Sequence, residues 1–374
     1  MGAWRYGKAV ALAALLRATP AAAGTVMEPI ARLYLEGGYD SNALYDGRSG
    51  DQVGRISPEA GLKLHDPLYD LGIVYGGEYV RYQKLAPNGW WNQRGGLKLD
   101  ARPTPTTTLA GELRLSQATD PVALAQAGVF RTGFVRAFLV TGRARAELEM
   151  DERTLGAATF QERTVIFQDA TGGAMHAPGV ELLRRVDRRL SLGGAYALGV
   201  FQSFIPGGAS DQSLSNALRA RARWRAERHV TVDAWAGPAI WLPRAGHTAV
   251  VPEFFAEVLV ATRGLDLRFN GGHALGLGAT AQPGLVDSLE FGGERRFGRT
   301  WFVRGAGGLW RSGAVPDGAY AVTGYAVGGE AGRILAGGLR LSVTGAHFAR
   351  ADSSDPAYRR TTAGLRLSWE LQAR

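Results

Sequence analysis

The chain has 374 residues, with 43 lysines plus arginines, 34 aspartates plus glutamates and a formal net charge of +9. It has no cysteine, which excludes thiolate metal sites, disulfides and cysteine nucleophiles and is typical of proteins that cross an oxidising compartment. A basic balance often indicates nucleic-acid binding, but here lysine is scarce and arginine alternates with other residue types, so no nucleic-acid partner is expected.

The first residues have the pattern of a secretory signal. Arg5 and Lys8 give a positive start, residues 9–16 form a short apolar run, and residues 21–23 (AAA) offer a cleavage site. The apolar run is too short to cross a bilayer as a helix. The sequence therefore predicts a signal peptide over residues 1–23.

The rest of the chain, residues 24–374, contains no linker and no shift in composition, so one domain is predicted. Polar and apolar residues alternate along it in one segment after another. In the last segment, Leu365 and Leu367 alternate with Arg366 and Ser368. Successive side chains of a strand point to opposite faces, so each segment is a strand with one apolar and one polar face.

Eighteen strands are predicted along the chain. In order they are 29–42, 53–65, 69–84, 90–102, 107–119, 134–150, 154–168, 179–187, 190–204, 214–227, 229–242, 252–262, 265–278, 285–297, 299–311, 320–334, 339–350 and 358–373.

The predicted connections alternate in length, short after even strands and longer after odd strands. Short periplasmic turns and long outer loops are typical of outer-membrane barrels. The sequence therefore predicts an all-β fold: a transmembrane antiparallel up-and-down β-barrel of about 18 strands, within a range of 16–18. We expect both termini in the periplasm and outer-membrane lipid around the wall, in a Gram-negative envelope.

Charge decides which face of each strand meets lipid. A charge that faces the middle of a bilayer costs about 2–4 kcal/mol, so charged positions are assigned to the lumen. The residues predicted to line the lumen and set the pore electrostatics are Arg143, Arg145, Glu147, Arg219, Arg221, Arg223, Arg225, Arg268, Arg304, Arg340 and Arg366. Two interpretations remain open: the arginines favour anionic or polyhydroxylated solutes, or they pair with acids and select nothing.

The seventh and eighth segments interrupt the alternation. Glu162 and Arg163 are adjacent charges, and residues 182–185 read Leu-Leu-Arg-Arg. Either a β-bulge or a strand that extends above the membrane would account for this pattern.

A barrel of this size leaves an aqueous channel unless something fills it. Residues 120–133 form the one predicted loop that is long enough to fold inward as a constriction; the alternative is an outer loop.

Signals for an enzyme are weak. The six histidines are scattered, and no paired metal ligands occur, so no cofactor and no metal are expected. His273 is the candidate for a lipid-modifying Ser/His site, because it shares the parity of the lipid-facing Leu265 and Leu267. The alternative is a histidine of the wall without a catalytic role, and we expect that the protein is not an enzyme.

Three segments in the first third carry a family resemblance: residues 38–42 (GYDSN), 56–62 (ISPEAGL) and 75–79 (YGGEY). Together they resemble the start of porin-like outer-membrane barrels that are associated with bacterial exopolysaccharide export and exosortase-type surface systems. The resemblance implies a conduit for secreted polysaccharide, with periplasmic polysaccharide-export proteins as partners. It identifies no catalytic residue.

The sequence therefore predicts an outer-membrane pore that conducts exopolysaccharide or related glycans. The alternatives are a general diffusion porin for small solutes, a structural or adhesive barrel with a blocked lumen, and a lipid-modifying enzyme.

Overall fold

β-Strands make up nearly all of the chain that the structure describes. The structure is a computed structural model that describes residues 25–43, 50–86, 88–119, 135–205, 210–244, 246–278, 281–315, 320–352 and 358–371. The predicted signal peptide (1–23) and the predicted inward loop (120–133) lie outside these residues. Within these ranges, no helix is long and apolar enough to cross a membrane.

The described residues form eighteen strands and one short 3-10 turn, Ala336–Gly338. The strands are β1 (Val26–Asp40), β2 (Asp51–Asp66), β3 (Tyr69–Tyr82), β4 (Trp90–Thr104), β5 (Thr107–Ala118), β6 (Ala137–Glu149), β7 (Thr154–Phe167), β8 (Gly172–Arg185), β9 (Leu190–Phe204), β10 (Asp211–Glu227), β11 (Val230–Pro243), β12 (Ala249–Thr262), β13 (Leu265–Leu277), β14 (Pro283–Phe297), β15 (Trp301–Gly313), β16 (Tyr320–Ile334), β17 (Leu339–Asp352) and β18 (Tyr358–Glu370).

Each strand pairs antiparallel with the next one along the chain, and β1 also pairs with β18. The closing ladder runs from Arg32 opposite Glu370 to Asp40 opposite Thr362. The sheet is therefore a closed up-and-down barrel of 18 strands, and the predicted fold and strand number are confirmed. The periplasmic position of the termini stays a prediction.

Short connections follow the even strands, and we call that end of the barrel the short-turn end; the opposite end is the long-loop end. Asp151 and Asp187 stabilise two short turns, since each carboxylate accepts backbone N–H groups two and three residues ahead, at 2.8 and 2.8 Å and at 2.6 and 2.8 Å. The backbone N–H of Arg153 lowers the pKa of Asp151, and that of Arg189 lowers the pKa of Asp187.

The β-bulge predicted as one explanation for the seventh and eighth strands does not occur, whereas a strand that extends above the membrane stays a prediction. β8 begins at Gly172, seven residues before the predicted start at 179, and its ladder with β7 continues to Ile166 opposite Gly172 without a register shift. The charge pattern has a local cause instead. Glu162 lies on the outer face, where its carboxylate contacts Nδ1 of His176 on the neighbouring strand.

The two faces of the wall differ in chemistry. Large apolar side chains are exposed on one face, for example Leu218, Leu289 and Leu365 at 66%, 58% and 62%. The opposite face carries the ion pairs, some of which join strands that are not neighbours. Glu147 of β6 lies 3.7 Å from Arg223 of β10, a contact that only the concave side of a closed sheet permits. The charged face is therefore the inner face.

A buried ion pair joins the first and last strands at the long-loop end, where the side chains of Asp40 and Arg360 are both fully buried. Nε of Arg360 donates to Asp40 at 2.9 Å, and the hydroxyl of Tyr82 donates to Asp40 at 2.8 Å. We call Asp40, Tyr82 and Arg360 the seam cluster.

Residues 38–42, the first segment of the family resemblance, supply this closure. The backbone N–H of Thr361 donates to the hydroxyl of Ser41 at 2.9 Å. The side-chain amide of Asn42 donates to the carbonyl of Arg359 at 2.8 Å. Asp40, Ser41 and Asn42 all bond β18, so this motif holds the ends of the sheet together.

Substitutions of two neighbouring residues test which face of the wall contacts lipid. Leu365→Arg places a charge on the exposed outer face, at a cost of about 2–4 kcal/mol near the middle of the membrane. Arg366→Leu removes an inner charge, and its partner Glu36 keeps a second arginine, Arg55, at 2.8 Å. We expect Leu365→Arg to reduce the heat-modifiable folded band on gels far more than Arg366→Leu. Equal losses would contradict the assigned faces.

The seam cluster can be tested by Asp40→Asn, which removes the carboxylate of Asp40 from the buried guanidinium of Arg360. We expect a loss of about 3–5 kcal/mol in the free energy of unfolding, measured by urea denaturation of the refolded protein. The control is Glu370→Gln, because Glu370 also joins β18 to β1 but near the opposite end of the ladder: its side chain is 35% exposed and those of its partners Arg32 and Arg340 are 31% and 35% exposed, so each pair contributes about 1 kcal/mol or less. Similar losses for both variants would exclude a special role for the seam cluster.

Candidate solute passage

The arginines that the sequence assigned to the lumen lie on the inner face, and nearly all of them contact an acid. The nitrogen–oxygen distances are Arg143–Glu112 2.8 Å, Arg145–Glu147 2.6 Å, Arg145–Glu181 2.5 Å, Arg219–Glu253 2.7 Å, Arg221–Asp233 2.8 Å, Arg223–Asp233 3.4 Å, Arg268–Glu257 2.6 Å, Arg340–Glu370 3.0 Å and Arg366–Glu36 2.5 Å. Arg304 contacts Glu330, which also lies 3.1 Å from Arg366. Arg225 forms no ion pair with any residue in the described part of the chain.

Some of these pairs are uneven in exposure. The side chain of Arg143 is 65% exposed and that of Glu112 is 18% exposed; for Arg304 and Glu330 the values are 44% and 6%. In these two pairs the carboxylate lies against the wall and the guanidinium group lies over it next to the lumen, whereas the partners in Arg145–Glu147 and Arg340–Glu370 are about equally exposed. The charges pair, and a preference of the arginines for anionic solutes stays a prediction.

The wall is interrupted at one ladder, between β12 and β13. Their pairing runs from Thr262 opposite Leu265 to Phe254 opposite His273 and stops there, although both strands continue toward the long-loop end. Proline has no N–H to donate to a ladder, and Pro252 lies in the part of β12 that has no β13 partner. Above Phe254, β12 therefore pairs only with β11, and β13 only with β14.

Glu253 substitutes for the missing ladder. Its Oε1 accepts the backbone N–H of Leu275 at 3.0 Å, and its Oε2 accepts Nη2 of Arg219 at 2.7 Å. The residue is 3% exposed. A buried carboxylate with a charged partner and a backbone donor is satisfied, so the interrupted ladder is stable in this form.

Beyond this point the β13–β14 hairpin folds into the lumen. We call residues 274–278 and 281–286 the inward hairpin end. Leu275 and Leu285 pack in one buried cluster with Phe201, Trp241 and Val251, which belong to the inner faces of β9, β11 and β12. Hairpin residues on the outward parity thus cover part of the inner wall.

The tip of the hairpin reaches strands farther around the barrel. Ala281 is fully buried in a cluster with Leu139, Val165 and Phe167 of β6 and β7. The side-chain amide of Gln282 donates to the carbonyl of Gly172, at the start of β8, at 3.1 Å. The inward hairpin end therefore crosses the lumen near the long-loop end and narrows it.

A cavity of about 800 Å³ remains beside the hairpin. Its lining includes Asn92, Ser116 and Thr141 from β4–β6 and Ser288 and Trp310 from β14–β15. The lining also includes apolar side chains such as Leu139, Leu277 and Leu309, so polar and apolar groups share the surface of this cavity.

A second space, of about 240 Å³, lies in the lumen and has charged walls. It is lined by Glu112 and Arg114 of β5, Arg143 of β6 and Arg268 of β13, which we call the narrowing. Because β5 and β13 lie on opposite sides of an 18-stranded barrel, side chains from two facing walls meet across the lumen. The sequence assigns Arg143 and Arg268 to the lumen, but it does not predict that they line the same space.

His273, the candidate for a lipid-modifying site, lies on the outer face. Its ring stacks on Phe254 with centroids 5.6 Å apart, and its Nδ1 lies 2.5 Å from Oδ1 of Asp287. These contacts give it a structural role in the wall just below the interrupted ladder. Across the described ranges, no three His, Asp or Glu side chains are grouped so that they could hold a metal ion.

A closed barrel with an apolar outer surface and a charged inner surface satisfies every requirement for crossing a bilayer with strands. The chain is a transmembrane β-barrel of the outer-membrane type, and its location is the bacterial outer membrane.

No protein-family profile matches the chain, and no curated protein is significantly similar to it. Solved structures with the same kind of fold include OccK1 (OpdK) of Pseudomonas aeruginosa, which is 11% identical with a TM-score of 0.44 and covers 92% of this chain and 98% of that one. OccK11 (OpdR) of the same organism is 12% identical with a TM-score of 0.41, covering 92% and 96%. OccAB4 of Acinetobacter baumannii is 10% identical with a TM-score of 0.42, covering 92% and 98%. These likenesses are too distant to assign a function.

The network of ion pairs on the inner wall can be tested through its contribution to stability. Glu181 is 9% exposed at its side chain and contacts both Arg145 and Arg221. We expect Glu181→Gln to lower the free energy of unfolding in urea by about 2–3 kcal/mol, because two guanidinium groups lose their shared carboxylate. Glu294→Gln is the control, since its pair with Arg296 is well exposed and should contribute about 1 kcal/mol or less. A smaller loss in the free energy of unfolding for Glu181→Gln than for Glu294→Gln would contradict a stabilising role of this ion-pair network.

Proposed function

We propose that the protein is a passive outer-membrane channel for small polar solutes, with a preference for anions. The observation that carries this proposal is the narrowing, where Arg114, Arg143 and Arg268 from two facing walls surround one space of about 240 Å³. Passage through such a site requires no reaction and no cofactor.

The sign of the preference follows from exposure at the narrowing. The side chains of Arg114, Arg143 and Arg268 are 72%, 65% and 52% exposed. Their acid partners Glu112 and Glu257 are 18% and 20% exposed. A passing solute therefore meets guanidinium groups first, and rings of charge at a constriction select ions of the opposite sign. The other inner-face arginines would extend the same field along the wall.

The volume of the same space supports a solute of small size. Pockets that enclose a drug-sized ligand have volumes of about 300–1,000 Å³, so a space of about 240 Å³ suits a smaller solute. This favours the small-solute alternative over a conduit for a long glycan. The glycan conduit and its periplasmic export partners stay a prediction based on the resemblance of residues 38–42, 56–62 and 75–79. The first of these segments holds the barrel seam, which any barrel function would require.

The test is the reversal potential in a KCl gradient across a planar bilayer. We compare the natural protein with the variant Arg114→Gln/Arg143→Gln/Arg268→Gln. We expect an anion-selective reversal potential that moves toward zero or changes sign in the triple variant, because glutamine keeps the approximate size and removes the charge.

Arg340→Gln is the matched control, because Arg340 lies on the inner face and outside the narrowing. It should leave the reversal potential close to that of the natural protein. Heat-modifiable gels verify that every variant folds. Cation selectivity of the natural protein, or equal shifts in the control and the triple variant, would contradict the proposal. Transient block by long acidic glycans but not by small acids would instead favour the glycan conduit.

A further inference from the structure

We propose that the inward hairpin end is a gate, which moves between its position in the lumen and a position in the wall beside β12. The proposal rests on the proposed function, because a gate requires a passage. It depends on residues 249–254, 271–278 and 281–286, all of which the structure describes.

The first observation is the parity of the hairpin residues. Phe269 and Phe291 face outward, at 47% and 45% exposure, and Leu275 and Leu285 have the same parity on the same two strands. In a regular barrel these leucines would contact lipid. They now pack against the inner wall around Trp241, so the same side chains have an apolar environment in either position.

The second observation is a strand edge that can receive the hairpin. Continuing the β12–β13 register past Phe254 opposite His273 places Leu275 opposite Pro252 and Leu277 opposite Val250. Val250 is 69% exposed, on the outer face. In the wall position, Leu277 would lie beside it on the lipid-facing surface, which is the normal arrangement of cross-strand neighbours.

The third observation is that each position lacks something that the other supplies. In the lumen position, Glu253 bonds the N–H of Leu275, and Ala281 has a φ of 60°, in the left-handed region that disfavours residues with a Cβ. In the wall position, the ladder would be longer, but Pro252 has no N–H to contribute. Each arrangement therefore leaves one local preference unmet, and the gate requires that the two positions have similar free energies.

The fourth observation is a pivot. Gly271 and Gly272 lie beside the last β12–β13 pair, and a Cβ at Gly272 would lie 2.6 Å from the carbonyl oxygen of Phe254. Only glycine permits this close approach of the two backbones where the strands part. In the wall position, the inner face of this part of β13 would consist of Gly272, Ala274 and Gly276, so the passage would be wider.

Engineered disulfides can hold each position, because the natural chain has no cysteine. Val251→Cys with Gly276→Cys joins residues that are opposite each other only in the wall position. Ala281→Cys with Val165→Cys joins two members of one buried cluster in the lumen position. Ala346→Cys with Thr362→Cys is the control, since these residues are register partners in β17 and β18.

We expect both gate pairs to cross-link under oxidation, as shown by gel mobility in the full-length refolded protein. The wall pair should raise the single-channel conductance, the lumen pair should lower it, and a reductant should reverse both changes. The control pair should cross-link without changing the conductance.

Two results would overturn the gate. One is a wall pair that stays reduced while the lumen pair and the control cross-link. The other is conductance that stays constant in all cross-linked forms. Failure of the proposed function is distinguishable, because the protein would then fold and cross-link while every form, reduced or oxidised, conducts no ions.

Discussion

The pairing of β1 with β18 is the constraint on which the rest of the structure depends. Backbone polar groups in a bilayer have no water to bond, so a sheet can span it only if both edges are paired with each other. The closing ladder supplies these bonds, and the buried ion pair between Asp40 and Arg360 fixes where it ends. A buried pair of this kind is strongly destabilised when either partner is lost, so it also favours one register of closure over others.

Once the ring is closed, the alternation of side chains determines the chemistry of both surfaces. Leucines and valines of one parity contact lipid, and charges of the other parity meet across the concave face. There, covered carboxylates such as Glu330 support exposed arginines such as Arg304. The same arrangement pairs the charges of the wall and leaves well-exposed arginines at the narrowing. In the proposed function, stability of the wall and preference for anions come from one set of residues.

The sequence predicts the strands and their faces well, because both depend on a local period of two residues. It misses the interrupted ladder, the hairpin in the lumen and the approach of Arg114 and Arg143 to Arg268, because these depend on contacts between distant strands. One local signal exists in the sequence: Pro252 marks an edge without a partner. The adjacent charges Glu162 and Arg163 suggested a bulge that does not occur, because Glu162 contacts His176 on the outer face and the ladder continues without a register shift.

The central claim is that the wall of this barrel narrows its own lumen without closing it. Single-channel conductance of the natural protein, refolded and inserted into planar bilayers, tests this most directly. The account predicts discrete steps that scale with salt concentration and are much smaller than those of an unobstructed barrel of 18 strands. Steps that are all as large as those of an open barrel, with no smaller level, would contradict it, because neither the hairpin nor the facing arginines could then occupy the lumen.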